Sequence, residues 1–233
     1  MSIQLDDLKA GDVLGFSGDA WMSAAISIAT YGIPFWGISH VGIVAEVEDT
    51  DIGCYLSSCG HTAEYIGRRR RGDFAYADYS VWNDAPRTNP RMLLFESSFG
   101  STVPCYVHGR CRDGTGARIP ADVVEAYKGK VWHYPAEQAM SPIKSAILTW
   151  NLLKNCGKPY DAIGAFRSGG VGFSWFESLF RKEDLSSLFC SEYCVAALKY
   201  IGQELGSASK WNPAKMVRAL MRNGYLRKPR RLK

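Results

Sequence analysis

An apolar pair, Leu188-Phe189, leads directly into a strongly periodic segment, Cys190–Ile201, that predicts an amphipathic helix. The first residue of this segment is a cysteine. A thiol in the first turn of a helix lies at the positive end of the helix dipole, beside backbone N–H groups without intrahelical acceptors. Such N–H groups can also receive a developing oxyanion. Cys190 is therefore a candidate nucleophile, and it needs a base.

His40 and Glu96 are the candidates for the base and for the group that orients it. His40 stands in a β-rich run, Gly37–Val47, which predicts a buried strand that would hold a general base rigidly. Glu96 follows four apolar residues, Met92–Phe95, and is predicted at the end of a second strand. A carboxylate there needs a polar partner, which an imidazole on the adjacent strand would supply.

Each of these residues, taken singly, also has a purely structural interpretation. A cysteine in an amphipathic helix is commonly a small core residue, and a strand histidine is commonly just hydrogen-bonded. A glutamate at the end of a strand usually faces water. Cys194, one turn after Cys190, lies inside the predicted helix and away from its terminal N–H groups, so it is predicted to be in the core.

A series of short motifs runs in order along nearly the whole chain. They are Gly11-Asp12, Ser39–Val44, Phe95-Glu96-Ser97, Gly157–Asp161, Phe189–Glu192 and Trp211–Ala214. In this order they resemble the circularly permuted branch of the NlpC-type, papain-like cysteine hydrolases, the YiiX-like group. The resemblance implies an α+β fold, with an antiparallel sheet packed against helices and the nucleophile at a helix N-terminus. It implies a triad of Cys190, His40 and Glu96 with the histidine ahead of the cysteine, an order that leaves triad chemistry intact.

The resemblance also implies a reaction. A thiol hydrolase of this kind cleaves an amide, in a peptide, isopeptide or cell-wall peptide, through an acyl-enzyme and without a cofactor. The oxyanion would be held by the Cys190 backbone N–H and by the Tyr160 hydroxyl, although Tyr160 fits a packing role equally well. A similar order in the lecithin retinol acyltransferase group leaves a lipid acyltransferase or thioesterase open. A non-catalytic binding or structural protein on the same fold is the third alternative.

Length and composition predict one catalytic domain over residues 1–233. A chain of 233 residues with 46% hydrophobic content can bury a substantial core without disulfides, and its seven scattered cysteines fit reduced thiols. Residues 49–91 lack clean periodicity and carry several glycines and prolines, so we predict an insertion over the active-site side or a short excursion of the sheet. An acidic start, Met1–Asp7, and the lack of a long apolar run predict a cytoplasmic protein without an integral membrane segment.

Two basic runs suggest a class of partner. Arg68, Arg69, Arg70 and Arg71 form one run, the tail at residues 227–233 forms the other, and the formal net charge is +5. An acidic polymer or an anionic membrane surface would be attracted to such runs. The alternative is a solvated basic surface without a dedicated partner.

Several cysteines and histidines raise a metal alternative. The possible soft ligands are Cys54, Cys59, His61, Cys105, His108 and Cys111. Zinc ligand pairs usually have gaps of two to four residues, whereas five residues separate Cys105 from Cys111. We therefore predict no metal site. The segment Cys111–Ile119 is predicted to be a glycine-rich turn, and it lacks the lysine and the helix of a phosphate loop.

Overall fold

The fold of the described residues is built on an antiparallel sheet of six strands. The structure is a computed structural model, and it describes residues 5, 7–18, 37–48, 51–52, 91–160 and 189–233. The six strands are β1 (Val13–Ser17), β2 (His40–Val47), β3 (Arg91–Ser98), β4 (Gly114–Arg118), β5 (Lys130–Tyr134) and β6 (Arg230–Arg231). Their order in the sheet is β4-β3-β2-β1-β5-β6, and every neighbouring pair is antiparallel.

Four α-helices accompany the sheet within these ranges. They are α1 (Pro120–Ala126), α2 (Pro142–Lys154), α3 (Cys190–Tyr200) and α4 (Pro213–Arg222), with a short 3-10 helix at Ala208–Lys210 before α4. Ser141 caps α2 through the Lys144 N–H and is followed by a proline, the arrangement that its sequence predicts. Helix α3 packs on β2 and β3, and α2 packs on β2 and α3. The predicted α+β architecture with an antiparallel sheet is therefore confirmed.

The central strands are buried on both faces. Along β2, Ile43 and Ala45 point into the core under α2 and α3, whereas Val44 points into a second core that includes Val124 of α1. On β3, Phe95 packs in the core under α2 and α3, and Leu94 packs in the second core. Successive side chains of a strand alternate between faces, so a continuous apolar run predicts a strand covered on both sides.

The Asp12 side chain, just before β1, links β1 to β5 and to the residues that follow β5. Its Oδ1 accepts the Ala136 N–H at 2.8 Å, and its Oδ2 accepts the Lys9 N–H at 3.0 Å and lies 2.7 Å from His133 Nε2. Arg230 Nε donates to His133 Nδ1 at 2.9 Å. A guanidinium can only donate, so His133 accepts at Nδ1 and donates from Nε2 to Asp12. This buried network fixes β1, β5 and β6 relative to one another.

The glycine-rich segment before α1 is not the turn that we predict from its sequence. Gly114–Arg118 forms the buried edge strand β4, paired with β3 from Leu94 to Ser98. Glycines weaken a strand signal because they add no side chain to the alternating pattern. Only the pairing of β4 with β3 in the structure identifies this segment as a strand.

Part of the predicted insertion and one basic run lie outside the described residues. Of the segment 49–91, only residues 51–52 and Arg91 are described, and Arg91 already belongs to β3. Arg68, Arg69, Arg70 and Arg71 also fall outside them. None of the described helices is long and apolar enough to span a membrane.

The basic tail at residues 227–233 is folded against the body of the protein. Arg227 pairs with Glu137 at 3.2 Å, and Arg230 bonds to His133 within the Asp12 network. Lys233 Nζ donates to the carbonyl oxygens of Glu125 and Tyr127, at 2.9 and 2.6 Å, at the end of α1. A lysine there complements the negative end of the helix dipole. These cations have internal partners, and an acidic partner for the tail stays a prediction.

Replacing Asp12 by Ala is expected to destabilise the protein by roughly 3 kcal/mol, because it leaves buried donors without an acceptor. Asp7→Ala is the matched control, since the Asp7 carboxylate is 64% exposed and meets Arg230 at 3.2 Å on the surface. Its loss should cost less than about 1 kcal/mol. Urea unfolding followed by circular dichroism measures both values. Equal small losses would contradict the role given to Asp12.

Candidate active site

His40 and Glu96 meet on one face of the sheet because of the register of β2 and β3. Glu96 pairs directly with Gly42, and His40 lies two residues before Gly42 on the same strand. Side chains two residues apart point to the same face, so His40 and Glu96 are diagonal neighbours. His40 Nε2 lies 2.7 Å from Glu96 Oε2. The hydrogen bond fixes the orientation of the imidazole ring.

A buried arginine holds the other oxygen of Glu96. Arg118 Nη1 donates to Glu96 Oε1 at 3.2 Å, while Nε donates to the Val103 carbonyl and Nη2 to the Arg112 carbonyl. The guanidinium lies over Gly116, where an added Cβ would stand 3.0 Å from Nη1. Gly116 pairs with Glu96, so the missing side chain leaves the space in which the ion pair forms.

The charges of the three groups support one another. Burial raises the pKa of Glu96, but the hydrogen bond and charge of His40, together with the charge of Arg118, lower it overall below its ordinary value. Burial also lowers the pKa of His40. The charge of Cys190 and a hydrogen bond to it, followed by the interactions with Glu96, outweigh burial and raise the pKa of His40 to about 10. The imidazole is therefore held in its protonated form.

Cys190 is the first residue of α3, in the position that the sequence predicts. Phe189 caps the helix with an extended backbone, and its N–H donates to Glu192 Oε2 at 3.5 Å. Ser191 Oγ donates to the Trp211 carbonyl at 2.6 Å, which ties the start of α3 to the turn before α4. These contacts fix the backbone that carries the thiol.

Cys190 lies close enough to His40 for its charge and hydrogen bonding to raise the pKa of the imidazole. Because Nε2 of His40 is engaged by Glu96, Nδ1 is the ring nitrogen left for the sulfur atom. Cys190 is 3% exposed, and the His40 side chain is 20% exposed. The structure thus brings the three predicted residues together in the order thiol, imidazole, carboxylate. Cys194, by contrast, is fully buried in the core, and burial raises its pKa well above the ordinary value, so its predicted core position is confirmed.

A cavity of about 470 Å³ opens beside His40 and Glu96. Tyr160 lines this cavity, and its ring centroid lies 6.0 Å from that of Phe99 on the same wall. The other described lining side chains divide between an apolar or aromatic group, formed by Phe16, Val103, Val123, Ala126 and Tyr127, and a polar group, formed by Ser39, Ser98, Ser101, Thr102 and Lys128. Cys190 is not among the described lining residues, so a molecule in this cavity would contact His40 and Glu96 directly and not Cys190.

A second group of reactive side chains lies at the β4 edge of the sheet. Cys105, His108 and Cys156 place their ligand atoms within 4.8 Å of one another. Cys111, another ligand that the sequence suggests, instead directs its thiol to the Thr102 carbonyl at 3.3 Å. Cys54, Cys59 and His61 lie outside the described residues. The five described cysteines are all free thiols.

Two parts of these sites are missing from the sequence predictions. The sequence does not single out Arg118, because a lone arginine after glycines gives no hydrophobic periodicity. In a strand, however, Gly114, Gly116 and Arg118 are spaced two apart and share one face. Cys156 was not among the candidate ligands, although the two-residue gap between Cys105 and His108 is typical of a zinc ligand pair.

Comparison with known proteins leaves the family open. No family model matches the sequence, and no curated protein is significantly similar to it. The assignment of function therefore depends on the geometry of the site.

The pKa of His40 is expected to be about 10 in the free protein, and substituting Cys190 by Ser should lower it, because the charge and hydrogen bond of Cys190 raise it. Ring nitrogen chemical shifts measured by NMR across a pH titration report this value. Cys111→Ser removes a thiol that bonds to Thr102 rather than to His40 and should leave the titration unchanged. A His40 that titrates at the same pH with and without Cys190 would rule out the thiol–imidazole pair.

Proposed function

We propose that this protein is a thiol hydrolase that cleaves an amide through an acyl-enzyme, on a circularly permuted papain-like fold of the NlpC type. The observation that carries the proposal is the 2.7 Å contact of His40 Nε2 with Glu96 Oε2, in a ring whose pKa is raised by the charge and hydrogen bonding of Cys190. A nucleophile bonded to a base that a third group orients is the arrangement of a catalytic triad. The histidine strand precedes the cysteine helix, in accord with a permuted order.

The raised pKa of His40 favours the imidazolium form of the ring before substrate binds. The Cys190 sulfur atom attacks the carbonyl carbon of the substrate, and the carbonyl π electrons move to the oxygen. As the tetrahedral intermediate collapses, the C–N bond breaks and His40 donates its proton to the departing amine. Water then attacks the thioester with His40 as the base, the C–S bond breaks, and the acid leaves as Cys190 and His40 return to their starting protonation states.

The oxyanion of the tetrahedral intermediate would form at the N-terminus of α3. Backbone N–H groups in the first helical turn have no intrahelical acceptor and point along the positive end of the dipole. The Cys190 N–H is the first of these groups in α3. Tyr160 lines the cavity beside His40, so its hydroxyl is our candidate for a second donor.

The cavity wall favours a second candidate function, acyl transfer or thioester hydrolysis on a lipid. Phe16, Phe99 and Val103 give the wall an apolar surface, and Phe99 is 61% exposed at its edge. An exposed apolar surface beside a reactive centre suits a hydrocarbon chain as well as apolar peptide side chains. Both candidates use the same thiol and imidazole and differ in the group that leaves.

Iodoacetamide at about pH 6 should alkylate Cys190 faster than Cys111, although Cys111 is exposed and Cys190 is 3% exposed. The reason is the protonated His40, which stabilises the thiolate that reacts. Peptide mass spectrometry at short reaction times measures both rates in the same sample. His40→Ala should slow alkylation of Cys190 by about tenfold or more and leave Cys111 unchanged. If Cys111 reacts first in the native protein, the nucleophile assignment is wrong.

Intact-protein mass spectrometry after exposure to peptide amides and, separately, to phospholipid vesicles should detect an acyl adduct that maps to Cys190. Cys190→Ala should abolish the adduct, and His40→Ala should slow its formation by a factor on the order of 10² to 10⁴. Glu96→Gln should give an intermediate rate, because the orientation of the ring is only partly lost. Cys194→Ala serves as the matched control, since Cys194 is a core thiol on the same helix.

The mass of the adduct decides between the candidates. A peptidyl adduct supports the amide hydrolase, and a fatty acyl adduct from vesicles supports the lipid enzyme instead. The absence of an adduct from both substrate classes, with Cys190 still alkylated first by iodoacetamide, would favour a non-catalytic binding protein on this fold.

A further inference from the structure

The second cluster, Cys105, His108 and Cys156, lies where the connection between β3 and β4 meets the end of α2. Cys105 Sγ is 3.4 Å from His108 Nδ1 and 3.9 Å from Cys156 Sγ. Cys156 Sγ is 3.9 Å from His108 Nδ1. Cys105 is fully buried and Cys156 is 5% exposed. The three atoms thus form a triangle with sides of 3.4, 3.9 and 3.9 Å.

The triangle has the dimensions of three corners of a zinc tetrahedron. Zinc binds sulfur at about 2.3 Å and imidazole nitrogen at about 2.0 to 2.1 Å, so tetrahedral angles place two sulfur atoms roughly 3.8 Å apart and a sulfur and a nitrogen roughly 3.6 Å apart. The observed separations of 3.9, 3.4 and 3.9 Å agree with these values. We propose that Cys105, His108 and Cys156 bind one zinc ion, with a water molecule or another donor at the fourth corner.

The chemistry of the donors selects zinc among the common metal ions. Two thiolates and an imidazole form a soft ligand set that zinc prefers and that magnesium and calcium do not. Two thiolates also neutralise the charge of the ion, so the buried site carries no net charge that would need a further partner. The spacing Cys105-x-x-His108 is a normal gap for the first ligand pair, and Cys156 supplies the distant ligand.

The backbone around the cluster already holds the ligands in place. The Gly109 N–H donates to the Cys105 carbonyl at 2.7 Å and closes the turn that brings His108 beside Cys105. Thr115 of β4 fixes the other side: its Oγ1 donates to the Asn155 carbonyl at 2.6 Å, and its carbonyl accepts the Gly157 N–H at 2.9 Å. Cys156 lies between these two contacts. A preformed site of this kind lowers the conformational cost of metal binding.

The position of the site indicates a structural role. Val103 lies two residues before Cys105 and Tyr160 four residues after Cys156, and both line the cavity beside His40. A zinc ion would therefore fasten together two segments that form walls of that cavity. Metal binding of this kind stabilises the folded state directly, because the unfolded chain does not hold the ligands together.

Zinc content per chain tests the proposal in protein purified under reducing conditions from zinc-supplemented cells. We expect about one zinc ion per chain in the native protein and a loss of most of it in Cys105→Ser and Cys156→Ser. Cys111→Ser is the matched control, because Cys111 lies in the same connection but bonds to Thr102. Cys190→Ser should also keep its zinc, so the outcome does not depend on the proposed hydrolase activity.

Cobalt(II) added to the metal-free native protein provides a readout that does not depend on the folding of any variant. A tetrahedral site with two thiolates should give intense visible bands and a sulfur-to-cobalt charge-transfer band, both removed by one equivalent of zinc. A silent cobalt titration, a Cys105–Cys156 disulfide detected as a loss of two hydrogens in mass spectrometry, or equal zinc loss in Cys111→Ser and Cys156→Ser would each overturn the proposal.

Discussion

The ion pair of Arg118 with Glu96 is the interaction on which the rest of the candidate site depends. A fully buried guanidinium needs acceptors for its donors, and it finds one carboxylate oxygen and two backbone carbonyls. Its bond to Oε1 leaves Oε2 of Glu96 directed to His40. Without Arg118, Glu96 would be a buried carboxylate with a single cationic partner, and its hold on the imidazole would weaken.

This interaction exists because β4 is poor in side chains. At Gly116 the strand leaves room over its own surface, and the arginine two residues later folds back into that room. The cost of glycine in a strand is a loss of packing and a greater loss of conformational entropy on folding. Here the space serves to bury a charge beside the carboxylate that needs it, and the edge strand thereby becomes part of the site.

Patterns within single segments predicted much of the fold. The apolar runs around His40 and Glu96 appear as β2 and β3, and the periodic segment after Phe189 appears as α3 with Cys190 at its start. Each of these signals lies within about a dozen residues, which is the range over which periodicity and capping operate. That Cys190, His40 and Glu96 meet is implied only by the resemblance of the ordered motifs to a known family.

The failures concern partners that are distant in the chain. Arg118 reaches Glu96 only because β4 pairs with β3, and no local sequence pattern specifies that pairing. Cys156 lies 51 residues from Cys105, and only the return of α2 to the β4 edge brings the two thiols together. A one-residue shift of a strand changes the face of every side chain, so the details of a site depend on a register that the sequence does not display.

The network around Asp12 also has a consequence for the order of folding. Arg230 reaches back across 223 residues to Asp7, and the Tyr225 hydroxyl reaches across 214 residues to the Gly11 carbonyl. Contacts between such distant residues require closure of long loops, which makes folding slow. During synthesis, β1, β2 and β3 leave the ribosome before Cys190, and β6 follows it. Cys190 can therefore meet His40 and Glu96 only after both of their strands have left the ribosome.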